Sequence, residues 1–278
     1  MKRLLITLLI LSAIIWTPVY AANVFTETFD SISSGTDVTT SNTNFDYRRI
    51  GSGGGSITAE TATSGEVHMR LGGSSSTSLN GVGIQDSLSD LTVTTVNFRV
   101  KLEDTLGDFF VGMGTGTTFT GNSIFSTDDL MWGIQFNNGA VEYRTGSGSG
   151  SWNSTGESLS TDTNYEFHIV ANRSGSSINY GSYSVANGTM DLFIDGSLVG
   201  DDLVITNNQN ATGFRIYQIN GSSYGRFDSI TIDDTALEPF TPTAITLSGL
   251  SARATSPALL VGSVLLLGAV IVWRRKRA

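Results

Sequence analysis

The stretch GTMDLFIDGSLVG, residues 188–200, sets an Asp-Gly pair between two apolar runs. A two-residue type I′ turn needs positive φ at both central positions, which Asp followed by Gly tolerates, so Asp195 and Gly196 are read as turning the chain between two strands. The same signature stands earlier, where Asn138 and Gly139 separate GIQF from AVEYR. Two such signals commit the surrounding chain to antiparallel β structure. On this reading Asp195 is a turn residue and not a catalytic acid.

The neighbouring segments agree. VNFRVKL sets Val96, Phe98, Val100 and Leu102 against Asn97, Arg99 and Lys101, and NYEFHIVAN sets Tyr165, Phe167 and Ile169 against Glu166 and His168. Period-two alternation marks strands with one buried face. VFTETF, EVHMRL, DFFVGM, MWGIQF, AVEYR, GFRIYQI and FDSITID read as further strands, divided by Gly, Ser, Asn and Asp clusters. No amphipathic helix is read between residues 23 and 256. Trp132 is assigned to the core, and the two histidines, His68 and His168, to solvent-facing strand positions.

Composition narrows the function classes. The chain has 278 residues and no cysteine, which excludes disulfides, thiol catalysis and thiolate metal sites and leaves core burial as the source of stability. Residues 1–22 carry Lys2 and Arg3, an apolar run from Leu4 to Trp16, and a small-residue site ending at Ala21 or Ala22, the layout of a cleaved secretory signal peptide. Residues 257–278 hold an uncharged run, 258–273, followed at once by Arg274, Arg275, Lys276 and Arg277. The run is short of the usual span of about twenty residues, but snorkelling arginines extend it, and the basic cluster is expected to stay in the cytoplasm. The expectation is an exported, single-pass protein with its bulk outside the cytoplasmic membrane. Residues 236–256 read as a flexible, Thr- and Ser-rich linker. Setting both ends aside removes six of the 16 basic residues and none of the 25 acidic ones, taking the balance from −9 to −15. Such a surface repels nucleic acid.

Two resemblances follow from these residues. The polar stretch, the short Gly-containing apolar run and the Arg-rich end resemble the PEP-CTERM sorting signals of bacterial surface proteins, although ATSPA stands in place of Pro-Glu-Pro. That likeness implies a sorting protease at the C-terminus and release to the cell surface or matrix. In the body, WGIQFNNGAVEYR, SWNSTGESLSTDTNYEFHIVAN, MDLFIDGSLVG and GRFDSITIDD together resemble laminin-G-like and concanavalin-like jelly rolls. This likeness implies an all-β sandwich of two antiparallel sheets over residues 23–235, with VFTETFD beside RFDSITIDD. The superfold hosts lectins, glycosidases, adhesion modules and spacers, so it selects no function.

Candidate site residues are few. A retaining glycosidase needs two carboxylates about 5 Å apart, and no Glu-x-Asp-x-x-Glu string supplies them; Glu142 and Glu166 are isolated strand positions. No nucleophile-elbow motif accompanies either histidine. The main expectation is therefore a non-catalytic surface or matrix protein, with a carbohydrate-binding adhesin as the alternative and a glycan-cleaving enzyme as the third reading. For sugar, Trp152 within GSGSGSWNSTG and Tyr224 within NGSSYGR are the candidate aromatic platforms; the competing reading buries Trp152 at a strand start. No cofactor is expected other than calcium, for which Asp30 and Asp228 are the candidate ligands if the fold brings their strands together. The partner expected is a polysaccharide or the extracellular matrix, with the membrane reached through residues 258–273.

Overall fold

The computed structural model describes residues 22–51, 53–73, 80–115, 130–146, 150–207, 209–220 and 222–239. The expected signal peptide up to residue 21, the linker from residue 240, the apolar run 258–273 and the basic tail lie outside the described residues. All described residues fall within one compact unit, Met1–Thr241.

The described residues form strands and no helix, numbered here in chain order. An eight-stranded sheet runs β15 (Ser197–Val204), β14 (Thr189–Ile194), β11 (Tyr165–Asn172), β6 (Val93–Leu102), β17 (Tyr224–Asp233), β4 (Val67–Gly72) and β3 (Ser56–Thr61), with β1 (Asn23–Glu27) also on β17. A seven-stranded sheet runs β10 (Ser151–Ser158), β9 (Ala140–Thr145), β8 (Leu130–Asn137), β7 (Asp108–Gly114), β16 (Gly213–Asn220), β5 (Gly81–Ile84) and β2 (Tyr47–Arg49). A small hairpin pairs β12 (Ile178–Tyr180) with β13 (Tyr183–Val185). Every pairing in both large sheets is antiparallel, and the two inner faces share one core, so the chain is an all-β sandwich.

The two quoted hairpins close as their sequences require. Asp195 and Gly196 have φ of 51° and 76°, and Asn138 and Gly139 have 49° and 85°. Asp195 joins β14 to β15, and Asn138 joins β8 to β9. Alternation then sorts each strand. Phe98 pairs with Phe167 in register, and their rings stack at 5.1 Å. Phe136 from the opposite sheet meets Phe167 edge-on at 5.2 Å, so this trio stitches the sheets together. Trp132 is fully buried in the same core. VFTETF and FDSITID do pair, through Phe25↔Ile232 and Glu27↔Ile230.

The outward face of the eight-stranded sheet is half covered. The β12–β13 hairpin packs Tyr180 and Val185 onto Val170 and Phe193, while the Tyr180 hydroxyl donates to buried Asp191. Beside it runs the segment after β17. Thr95 Oγ1 donates to Thr235 O at 2.6 Å and accepts from Leu237 N at 3.0 Å, and Ser182 N donates to Glu238 Oε1 at 3.1 Å. Residues 236–238, which the sequence assigns to the linker, are thus held on the sheet. They also correct the placement of His168. It is not solvent-facing but 3% exposed, with Nε2 donating to Leu237 O at 2.9 Å and Nδ1 against the Asn97 amide.

Candidate functional site

The uncovered half of that face holds a cavity of about 290 Å³. Its floor comes from three neighbouring strands in one register row: Asp228 on β17 pairs with Arg99 on β6, which pairs with Glu166 on β11. One row along, Arg226 pairs with Lys101. Outward-facing strand residues are solvated by default, but here alternating charge is drawn into a concavity whose rim includes Glu66 and Asp195.

A backbone irregularity shapes the floor. The β17–β6 register shifts between Asp228 and Thr231, and Ser229 takes φ of 52°, so β17 carries a bulge. Bulges bend a strand and re-aim its side chains. At this point the neighbour of β17 changes from β4, which pairs with residues 224–227, to β1, which pairs with residues 230–233. His68, next to Met69 on β4, lines the cavity there.

Two polar atoms at the floor lack partners. His68 is 7% exposed, yet its Nε2 has no hydrogen-bond partner, and neither has the buried Oδ1 of Asp228. Buried polar atoms are almost always satisfied, and an orphan costs about 1–3 kcal/mol; Trp132 Nε1 and Thr94 Oγ1 share this state within the fold, and His68 and Asp228 differ from them in lining a cavity. Burial and then the positive charge of Arg226 hold the His68 imidazole below its usual range, which keeps it neutral. Burial pushes the Asp228 carboxyl up against the bonds it accepts from Ser229 and the pull of Arg99. His68 is therefore the second histidine that the sequence reading misplaces: β4 alternation puts it opposite the core, but it is only 7% exposed among the residues lining the cavity.

The cations around the cavity are committed. Arg226 Nε bonds Glu103 Oε1 at 2.8 Å, and Arg70 grips the same carboxylate in a fork at 2.7 and 2.8 Å. Glu60 completes the network at 3.7 Å from Arg70 and 3.6 Å from Arg226. Burial acts to raise the Glu103 carboxyl, but the bonds from Arg70 and Arg226 outweigh it and hold it below the usual range. Arg99 reaches Glu66 at 3.5 Å and Lys101 reaches Asp162 at 3.2 Å.

The structure does not bring the expected aromatic platforms together. Tyr224 starts β17 on the outward face of the eight-stranded sheet, half-buried, with the Arg70 guanidinium 3.4 Å from its ring centre. One face of the ring is therefore occupied. Trp152 lies on the outward face of the other sheet, at the start of β10, half-buried, edge-on to Phe110 at 6.1 Å and 5.2 Å from the Arg144 guanidinium. Trp152 thus lies near the start of a strand, as the competing reading has it, but half-buried and not in the core. Glu142 and Glu166 are likewise divided, since Glu142 on β9 accepts from Gln135 and Asn137 on the seven-stranded sheet.

Asp30 is exposed beyond the end of β1 and close enough to Asp228 to raise its carboxyl further. Asp228 lies at the bulge within β17 and not at a strand start. Arg99 sets a fixed positive charge beside the pair, and among the described residues no group of three His, Asp or Glu side chains converges as metal ligands. That donor set does not suit calcium, which takes six to eight oxygens.

No protein-family model matches the chain, and no curated protein sequence matches it. Solved structures align with it in part. The cellulose-induced protein Cip1 aligns at 15% identity over 76% of this chain and 97% of its own, with a TM-score of 0.49. Domain 4 of AbnA, an extracellular arabinanase of Geobacillus stearothermophilus solved with arabinotriose, aligns at 17% identity over 80% of this chain and 96% of its own, with a TM-score of 0.47. The binding domain of botulinum neurotoxin serotype D aligns at 16% identity and a TM-score of 0.42 over 69% of this chain, which spans only 44% of it. At these identities and TM-scores no ligand or activity passes to this chain through the alignments.

Proposed function

We propose that this chain is an exported, surface-displayed, non-catalytic β-sandwich that binds a glycan in the cavity on its eight-stranded sheet. The single observation that carries the reading is the pair of buried, unpartnered atoms, His68 Nε2 and Asp228 Oδ1, at the floor of an open cavity. A sugar hydroxyl both donates and accepts, so it has the chemistry to partner either atom. The volume of about 290 Å³ suits a small number of sugar rings and not a folded protein partner.

Display outside the cell rests on the two ends of the sequence: the charged, apolar and small-residue layout of residues 1–22, and the uncharged run 258–273 followed by RRKRA. The described domain ends on the outward sheet face at residues 235–238, and the remaining linker tethers it to the membrane or to a sorting protease. A glycan microarray probed with the purified full chain tests the binding reading. Signals that disappear in Asp228→Asn and in His68→Leu support it; an array without signal, or signals that survive both substitutions, refutes it.

A further inference from the structure

We infer that the cavity selects neutral glycans, engaging a vicinal pair of sugar hydroxyls, and rejects uronate or sulfated ones. The inference rests on the glycan-binding reading and names the substrate class of the same site. A carboxylate or sulfate is held best by cations whose charge no acidic neighbour balances. Here Arg99, Lys101 and Arg226 each already face an acidic partner, at 3.5, 3.2 and 2.8 Å. Among the described residues, Glu166, Asp195 and Asp228 stand in no ion pair, although all three line the cavity. An incoming anion therefore meets unpaired carboxylates, beside cations whose charge an acidic neighbour already balances.

A neutral diol meets none of these costs. Adjacent hydroxyls donate to carboxylate oxygens, and Asp228 Oδ1 is buried and vacant for one such bond. His68 Nε2 then takes the second hydroxyl, accepting or donating according to the tautomer of the neutral ring. The nine-tenths burial of His68 is what separates this from a solvated acidic patch: a histidine at 7% exposure has no water-facing reason to leave Nε2 bare.

Affinity electrophoresis of the full chain tests this, in gels containing galactomannan, β-glucan, arabinan, alginate, polygalacturonate or chitosan. The expected result is retardation by at least one of the neutral polymers and none by alginate or polygalacturonate. Asp228→Asn and Glu166→Gln should each weaken the neutral interaction by at least tenfold, with the melting temperature of each variant showing that it folds. Retardation by alginate or polygalacturonate that falls tenfold in Arg99→Gln overturns the selectivity while leaving glycan binding standing. Preferential retardation by chitosan overturns it as well. Migration unchanged in every gel overturns selectivity and glycan binding together.

Discussion

Asp195 Oδ1 accepts the backbone N–H of Glu166 at 2.8 Å while the Asp195 N–H donates to the Glu166 carbonyl at the same distance. The turn residue of the β14–β15 hairpin thus clamps the strand that carries a cavity carboxylate. Its φ of 51° favours Asn, Asp or Gly. Asn keeps both the conformation and the bond, Gly keeps only the conformation, and Ala keeps neither. Chemical denaturation should rank stability as Asp195→Asn close to native, then Asp195→Gly, then Asp195→Ala, the last costing about 1–3 kcal/mol. Ala matching Asn would show that the clamp contributes nothing.

The Phe98, Phe167 and Phe136 trio spans the two sheets. Phe167→Ala leaves a cavity at its centre and should cost about 3–5 kcal/mol in urea unfolding. Trp152→Ala, at a half-buried edge-strand position on the far sheet, should cost less and should leave glycan binding unchanged. Loss of binding in Trp152→Ala would move the site to the seven-stranded sheet.

Much of this architecture is legible in the residues. Phe98 and Phe167 alternate cleanly against polar neighbours, and Asp195-Gly196 and Asn138-Gly139 carry their own turn chemistry. β10 is not legible, because SWNSTGES is polar on both faces of an edge strand. β5, GVGI, is short and half glycine. The cavity is hidden for a different reason. Asp228, Arg99 and Glu166 become neighbours only through strand register, and the bulge at Ser229 that re-aims Asp228 has no local signal. Alternation misplaces the two histidines because it tells which face a side chain takes but not what covers that face.

Burial depresses His168 from 6.5 to about 4, against the stabilising effect of its bond to Leu237 O. The unfolded chain binds a proton at this histidine below about 6.5 that the folded one refuses until about 4, so native stability falls as pH drops through that window and levels off below it. The shift corresponds to roughly 3 kcal/mol. Buried carboxyls raised in the fold, such as Asp191 and Asp233, work in the opposite direction, so the comparison must be with His168→Gln. Native protein should lose stability relative to that variant between pH 6.5 and 4. Parallel pH profiles would show that His168 titrates normally.

The tail makes its own prediction. Placing an arginine at the centre of the apolar run, Leu266→Arg, should cost about 2.5–3.5 kcal/mol of insertion free energy and shift protein from the membrane to the soluble exported fraction. Mass spectrometry of the surface form separates sorting from simple anchoring, since a sorting protease removes RRKRA. Full-length protein soluble in the cytoplasm would contradict both.

The cavity claim is tested most directly by His68→Leu, read for stability and for binding on the same sample. Replacing an unpartnered buried nitrogen by hydrocarbon of similar size removes a desolvation cost of about 1–3 kcal/mol, so the melting temperature should hold or rise. Isothermal titration with the polysaccharide that retards the native chain should meanwhile show affinity at least tenfold weaker. A variant that keeps full affinity, or one that loses stability because Nε2 was anchoring the fold, would contradict the assignment of His68 and Asp228 to a ligand site.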